Sequence, residues 1–183
     1  MKSSSQIVPE TALERRIVHD PEWLEGAAWG RPRSGHPEGS VEAHIVEVLA
    51  NVDRVATDPS DRRRLRLVAL LHDTSKLRVD RSLPRRGANH HARLARRQAE
   101  RFTDDPELLE VIELHDDAYH AWRLGACGGD WPAAEAAAQE LIERLGASFA
   151  FYLRFYEADN ATGDKDQRQI AWFSWQVRKL GWK

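Results

Sequence analysis

Apolar positions recur along this chain at helical spacing almost throughout. Between residues 40 and 56, Val41, Ile45, Val48, Val52 and Val55 follow one another at three- and four-residue intervals, with Ser40 placed as the N-cap. The run Leu65, Leu67, Val68, Ala69, Leu70, Leu71 predicts a mostly buried helix over residues 60–73. Periodicity alone would admit a strand there, but the Asp-Arg-Arg-Arg lead-in gives the segment helix length. Asn89 is placed to cap a helix through Leu94, Ala95, Ala99 and Phe102, and Pro106 behind Asp105 opens one carrying Leu108, Val111 and Ile112. After a Gly-rich break at 125–129, the Ala-rich stretch 132–145 is strongly helical and stops at Gly146. Two more helices are expected over 147–160 and 166–180. No alternating strand pattern or hairpin turn competes, so the expected class is all-α with about seven helices.

Composition narrows this picture. Of 183 residues, 42% are hydrophobic and 31% charged, which is globular rather than disordered and enough for one domain of ordinary size. No repeat, low-complexity tract or long linker divides the chain, so residues 1–183 are expected to form a single domain. The formal charge of −2 creates no global field toward nucleic acid or an anionic membrane. A single cysteine, Cys127, excludes a disulfide framework and points to a reducing compartment. The N-terminus lacks a signal-peptide apolar stretch, and the longest apolar run, 67–71, is far too short to span a bilayer. A cytoplasmic protein without membrane association is expected. Residues 76–101 are locally basic, with Lys76 and eight arginines against Asp80 and Glu100. That excess is either a phosphate-attracting surface or a solvated helical face.

Histidines and aspartates bring the chemistry. His44 sits one turn from Val41 and Val48, on the buried face of its helix. His72 and Asp73 close the most apolar helix. His91 shares a face with Leu94, Ala95 and Phe102; His115 follows Ile112 and Val111 by three and four residues; Asp159 follows Tyr156 and Phe155 likewise. One inward histidine is ordinarily a satisfied core residue. Inward aspartates are harder to bury without compensating charge, which a metal ion would supply. Imidazole and carboxylate donors together suit divalent iron, manganese, nickel, cobalt or zinc.

The ordered set His44, His72-Asp73, His91, His115, Asp159 resembles the signature of the HD-domain superfamily of metal-dependent phosphohydrolases. The resemblance covers about residues 35–160, flanked by helical extensions. LRLVALLHDTSKL is similar to the family's His-Asp core segment. GHPEGSVEAHIVEVL is similar to the lead-in of the HD domain in bacterial CCA-adding tRNA nucleotidyltransferases, with His36 eight residues before His44. NHHARLARRQAERF and VIELHDDAY fit the next two histidine positions. No preceding stretch is long enough for the nucleotidyltransferase head, so a free-standing hydrolytic module is expected. Three departures stand out. Ser75 occupies a position where many relatives have glycine. The doublet His90-His91 leaves two registers, of which His91 fits the family's His-x-x-x-Gly/Ala turn. Lys76 replaces the catalytic glutamate of the 5′-deoxynucleotidase branch, which argues against that branch and removes an obvious general base.

The resemblance implies a first metal site of His44, His72, Asp73 and Asp159, with Asp73 able to bridge to a second ion on His91 and His115. One or two divalent ions are expected, with magnesium also admitted. It implies a catalytic role for Asp73 and a catalytic and phosphate-binding one for Lys76, whose alternative is a surface lysine capping a helix C-terminus. Arg85 and Arg86, in a loop just before His91, are placed to bind phosphate, and His36 is an outer-shell donor, an entrance residue or a plain loop histidine. His19 and His120 are read as surface residues, and Trp172, Phe173, Trp175 and Trp182 as packing, with base stacking the alternative. The expected activity is hydrolysis of a phosphate monoester or cyclic phosphodiester, with a small phosphorylated partner such as a nucleotide or RNA end. The competing readings are a mixed-valent diiron oxygenase using the same six positions, and a metal-binding regulatory module without turnover.

Overall fold

All seven predicted helices form, and three short ones join them in the computed structural model, which describes residues 6–181. In chain order the helices are α1 (Ala12–Val18), α2 (Pro21–Ala27), α3 (Val41–Val55), α4 (Pro59–Leu71), α5 (His91–Ala99), α6 (Pro106–Leu114), α7 (Asp117–Ala126), α8 (Trp131–Leu145), α9 (Phe149–Asn160) and α10 (Arg168–Lys179). The additions are α1, α2 and α7. The first two run only seven residues each, too short for a clear periodic signal. Helix α7 follows α6 after only His115 and Asp116, with no Gly or Pro break to announce it. Among the described residues there is no strand, only two isolated bridges, Gly30 with Ser40 and Arg33 with His36. The fold class is all-α.

Local chemistry sets most helix ends as expected. Ser40 Oγ accepts from the Ala43 amide at 3.1 Å, and Asp105 accepts from the Glu107 and Leu108 amides behind Pro106. Asp58 caps α4, and Gly146, at φ +46°, ends α8 in a conformation that L side chains rarely adopt. Asn89 departs from expectation. It does not cap α5, whose N-cap is His90 without a side-chain bond. Its carboxamide instead grips residues 80–84, accepting from the Asp80 amide at 2.9 Å and donating to the Asp80 and Pro84 carbonyls. A loop with no ladder of its own needs such a partner for its backbone groups.

A continuous apolar cluster runs from Ile7 to Val177 and includes the fully buried Trp23, Tyr152, Phe155, Tyr156 and Phe173. Trp23 Nε1 donates to the Leu70 carbonyl at 2.6 Å, fastening α2 to the end of α4. Arg66 is buried in α4 but forked onto both carboxylate oxygens of Glu14 at 2.9 Å, which compensates its charge. Phe173 belongs to the core and Trp172 packs on it, while Trp175 is exposed; Trp182 lies outside the described residues. Much of the basic stretch is charge-paired: Arg78 meets Glu25 at 2.7 Å, Arg96 meets Glu113 at 3.0 Å, and Arg101 meets Asp20 and Glu22. Among the described residues no helix is long and apolar enough to cross a membrane.

Candidate metal centre

Helix ends supply every donor. His44 lies in the first turn of α3, and His72 caps the C-terminus of α4 with Asp73 directly after it. His91 opens α5, His115 caps α6, and Asp159 lies in the last turn of α9. Long-range packing of α3 on α9, α4 on α6 and α5 on α6 carries these ends together.

The side chains converge on Asp73. His44 Nε2 is 2.8 Å from Asp159 Oδ1, 3.4 Å from His72 Nε2 and 3.8 Å from Asp73 Oδ2. His72 Nε2 is 3.5 Å from the same Asp73 oxygen. On the other side, His91 Nε2 and His115 Nε2 are 3.4 Å apart, and lie 3.8 and 3.4 Å from Asp73 Oδ1. The structure thus brings together all six donor positions expected from the sequence, and it is His91 rather than His90 that joins them. His90 packs against His91 with the rings tilted and their centroids 4.5 Å apart, and its other ring neighbour is His120 at 5.4 Å.

Two histidines have their tautomer prepared. His72 Nδ1 bonds the Ala69 carbonyl at 3.0 Å and His115 Nδ1 bonds the Ile112 carbonyl at 2.8 Å, so each Nδ1 carries a proton and Nε2 is the nitrogen that each ring turns to the cluster. Glu38 was not anticipated. Its side chain is only 4% exposed, with Oε1 2.9 Å from His36 Nδ1 and 3.4 Å from His44 Nδ1.

These residues fit a divalent metal. Donors about 2.1 Å from a shared ion stand roughly 3.0–3.5 Å from each other, and the separations here, 2.8 to 3.8 Å, bracket that range. Asp73 Oδ1 is buried yet has no hydrogen-bond partner, which is costly for a carboxylate oxygen unless a cation faces it. The local field agrees. Burial opposes ionisation of Asp73, but Lys76 and His72 outweigh it and hold the carboxyl well below its usual range. Burial likewise opposes a charge on His115, yet Asp116, Asp73 and Asp159 push its pKa up to about 9. The carboxylates collectively demand positive charge at this point.

Beside the donors opens a cavity of about 500 Å³, lined by His36, Asp73, Lys76, Asp116, Asp159 and Lys165 among others. Lys76 rides on the 3₁₀ turn Thr74–Arg78 with Nζ 2.5 Å from Asp73 Oδ2. Lys165 Nζ contacts Asp159 at 2.9 Å to its carbonyl and 3.2 Å to Oδ1. Lys165 and Asp116 were also missed from sequence. Lys165 carries no periodic signal, whereas Asp116 follows a histidine as Asp73 does and could have been found that way. Arg85 and Arg86 stand elsewhere: both are exposed and line a separate depression with His90, Arg93, His120 and Arg144. His19 and His120 are at the surface as expected.

Comparison with known families gives a match to the HD domain over residues 41–147, more than half of the chain. No curated protein and no solved structure matches it. That span holds five of the six donors, and Asp159 reaches the cluster from just beyond it. The chain therefore belongs to the HD-domain family, whose members bind divalent metals and are generally hydrolases.

Proposed function

We propose that this protein is a metal-dependent phosphohydrolase acting on a phosphate monoester or a cyclic phosphodiester. The observation that carries the reading is a cavity in which two ammonium groups, Lys76 and Lys165, stand directly beside the Asp73 and Asp159 donors. A dianionic phosphoryl group is the substrate chemistry that matches cations at that place. His44, His72, Asp73 and Asp159 would hold one ion, and Asp73 with His91 and His115 a second. When bound, the metal supplies Lewis-acid stabilisation of charge on phosphorus and acidifies water.

The rest of the work falls to side chains. Lys76 orients a phosphoryl oxygen and offsets negative charge as it grows, from a flexible stem suited to a point-charge contact. His36, at the cavity rim and steadied by Glu38, donates or accepts a proton at the leaving or entering oxygen. The lead-in around His36, similar to that of CCA-adding enzymes, supports a nucleotide or RNA end as the natural substrate.

The test is hydrolysis of an aryl phosphate and a 2′,3′-cyclic nucleotide with a panel of divalent metals. Lys76→Ala is expected to keep its metal and lose about 30- to 1000-fold in kcat/KM, the equivalent of roughly 2–4 kcal/mol. Undiminished turnover in the variant would remove Lys76 from the reaction. A second reading, a mixed-valent diiron oxygenase acting on a small organic substrate, draws on one observation: Asp73 offers a separate oxygen to each histidine pair. Two tightly held irons with an oxygen-sensitive spectrum, and no phosphoester hydrolysis, would favour it. Metal uptake with neither activity would favour a regulatory module.

A further inference from the structure

The chain contains the tripeptide Leu-His-Asp twice, at residues 71–73 and 114–116, and folds it the same way both times. Each copy ends a helix, α4 or α6. The histidine caps it at φ −61°, ψ −35° in one and φ −54°, ψ −31° in the other. The aspartate follows at φ −113°, ψ −13° and at φ −92°, ψ −7°. In each copy Nδ1 of the histidine bonds the carbonyl three residues back. Local conformation therefore presents Asp116 beside His115 as it presents Asp73 beside His72.

The distances around the two histidine pairs are also parallel. In the first pair the Nε2 atoms are 3.4 Å apart, and Asp159 Oδ1 lies 2.8 Å from His44 and 3.6 Å from His72. In the second the Nε2 atoms are again 3.4 Å apart, and Asp116 turns one oxygen to each imidazole, Oδ2 at 3.0 Å from His91 and Oδ1 at 3.6 Å from His115, where Asp159 uses Oδ1 for both. Asp73 gives Oδ2 to the first pair and Oδ1 to the second. Without Asp116, the second half of the cluster would have two imidazoles and a shared carboxylate oxygen. With it, both halves carry two imidazoles, one terminal carboxylate and one oxygen of Asp73.

We propose that Asp116 is a metal ligand, the terminal carboxylate of the second half-site and the counterpart of Asp159 in the first. The proposal rests on the metal-centre reading above and adds to it a seventh donor and a definite nuclearity of two. It also sets the two halves apart in access. The Asp116 side chain is 24% exposed against 7% for Asp159, so the second ion would be the more open to the cavity and the more easily exchanged.

The experiment is a cobalt(II) titration of the chelator-stripped full chain. Ions per chain are counted by elemental analysis, and each half-site is followed through its visible d–d bands. Wild type is expected to take up two ions. Asp116→Asn, close to isosteric, is expected to keep the first and weaken the second by roughly 100-fold or more, beyond the 10- to 100-fold typical of outer-shell losses. His91→Ala should reproduce that loss, and Asp116→Glu should restore the second ion. Circular dichroism of the stripped variants checks the fold, and a misfolded His91→Ala leaves the Asn and Glu variants to decide. An Asp116→Asn protein that binds two ions at wild-type affinity would overturn the assignment, as would a wild type limited to one ion; both leave the first half-site standing. A wild type that takes up no divalent ion would overturn the metal centre itself.

Discussion

In the first turn of α4, Asp61 ties three segments together. Its Oδ1 accepts from Arg154 on α9 at 2.8 Å, and its Oδ2 accepts from the Thr57 amide at 3.0 Å and the Thr57 hydroxyl at 3.2 Å. Burial alone would raise its pKa; the bonds from Arg154 and Thr57 prevail and hold it below the usual carboxylate value. A carboxyl depressed in the folded state contributes stability that is complete above its unfolded pKa of about 3.9 and is lost as pH falls through the lower folded value. Asp61→Asn should therefore cost about 1.5–3 kcal/mol at pH 7, and the gap to wild type should close as pH drops below about 4. Thermal melts of both proteins across that range measure it, and a gap independent of pH would show that the Asp61 charge does nothing. The histidines of the cluster follow the same residue-scale logic in another form. A carbonyl claims Nδ1 of His72 and of His115, and that choice alone leaves Nε2 free to act as a donor.

Among the helical elements, the contact of α2 with the turn that carries Lys76 is open to disruption by a single change. Helix α2 lies against the turn Thr74–Arg78, and Gly26 faces the Thr74 backbone there. A Cβ there would stand 1.9 Å from the Thr74 carbonyl oxygen, which is backbone and has no rotamer by which to yield. Ala is the better helix former by about 1 kcal/mol, yet the overlap should cost more, because overpacking against a fixed main chain typically costs 1–3 kcal/mol and a 1.9 Å approach is severe. Gly26→Ala is expected to be net destabilising by about 2 kcal/mol, lowering the melting temperature by roughly 4–8 °C. It should also impair the proposed phosphoester hydrolysis, because relief of the clash moves the turn that carries Lys76. Unchanged melting would mean that α2 can slide away freely. The Trp23 bond to the Leu70 carbonyl and the buried Arg66–Glu14 fork argue against such freedom, since both fasten the N-terminal helices to α4.

At the scale of the whole molecule, the candidate metal centre would also act as a structural joint. Its donors come from α3, α4, α5, α6 and α9, segments more than 100 residues apart in the chain, so an ion there would cross-link five helices. Because the unfolded chain cannot assemble the set, binding adds directly to stability. A metal at 100 times its Kd should add about 2.7 kcal/mol, which for a chain of this size is roughly 5–11 °C in melting temperature. Calorimetry with and without chelator should show that increment in wild type. Asp73→Ala should abolish it, since that residue serves both histidine pairs. An equal increment in the variant would place the stabilising ion elsewhere.

What the sequence determined by itself was local. Helix positions follow from apolar spacing, and caps from the short range over which Ser40, Asp105 and Gly146 act. The six candidate donor positions could be picked out because polar residues on otherwise apolar helix faces are conspicuous without any knowledge of their partners. The tertiary structure decided what depends on distance between remote segments. Nothing in the chain before folding says that Glu38 stands behind His44, that Lys165 reaches Asp159, or that Arg85 and Arg86 face a different depression from Lys76. Asn89 is the clearest case: its cap propensity is real, but the loop at 80–84 had unpaired backbone groups and claimed the side chain first. Asp116 lies between the two regimes. Its Leu-His-Asp setting was in the sequence, yet only the approach of α5 to the end of α6 places a second imidazole, His91, against it.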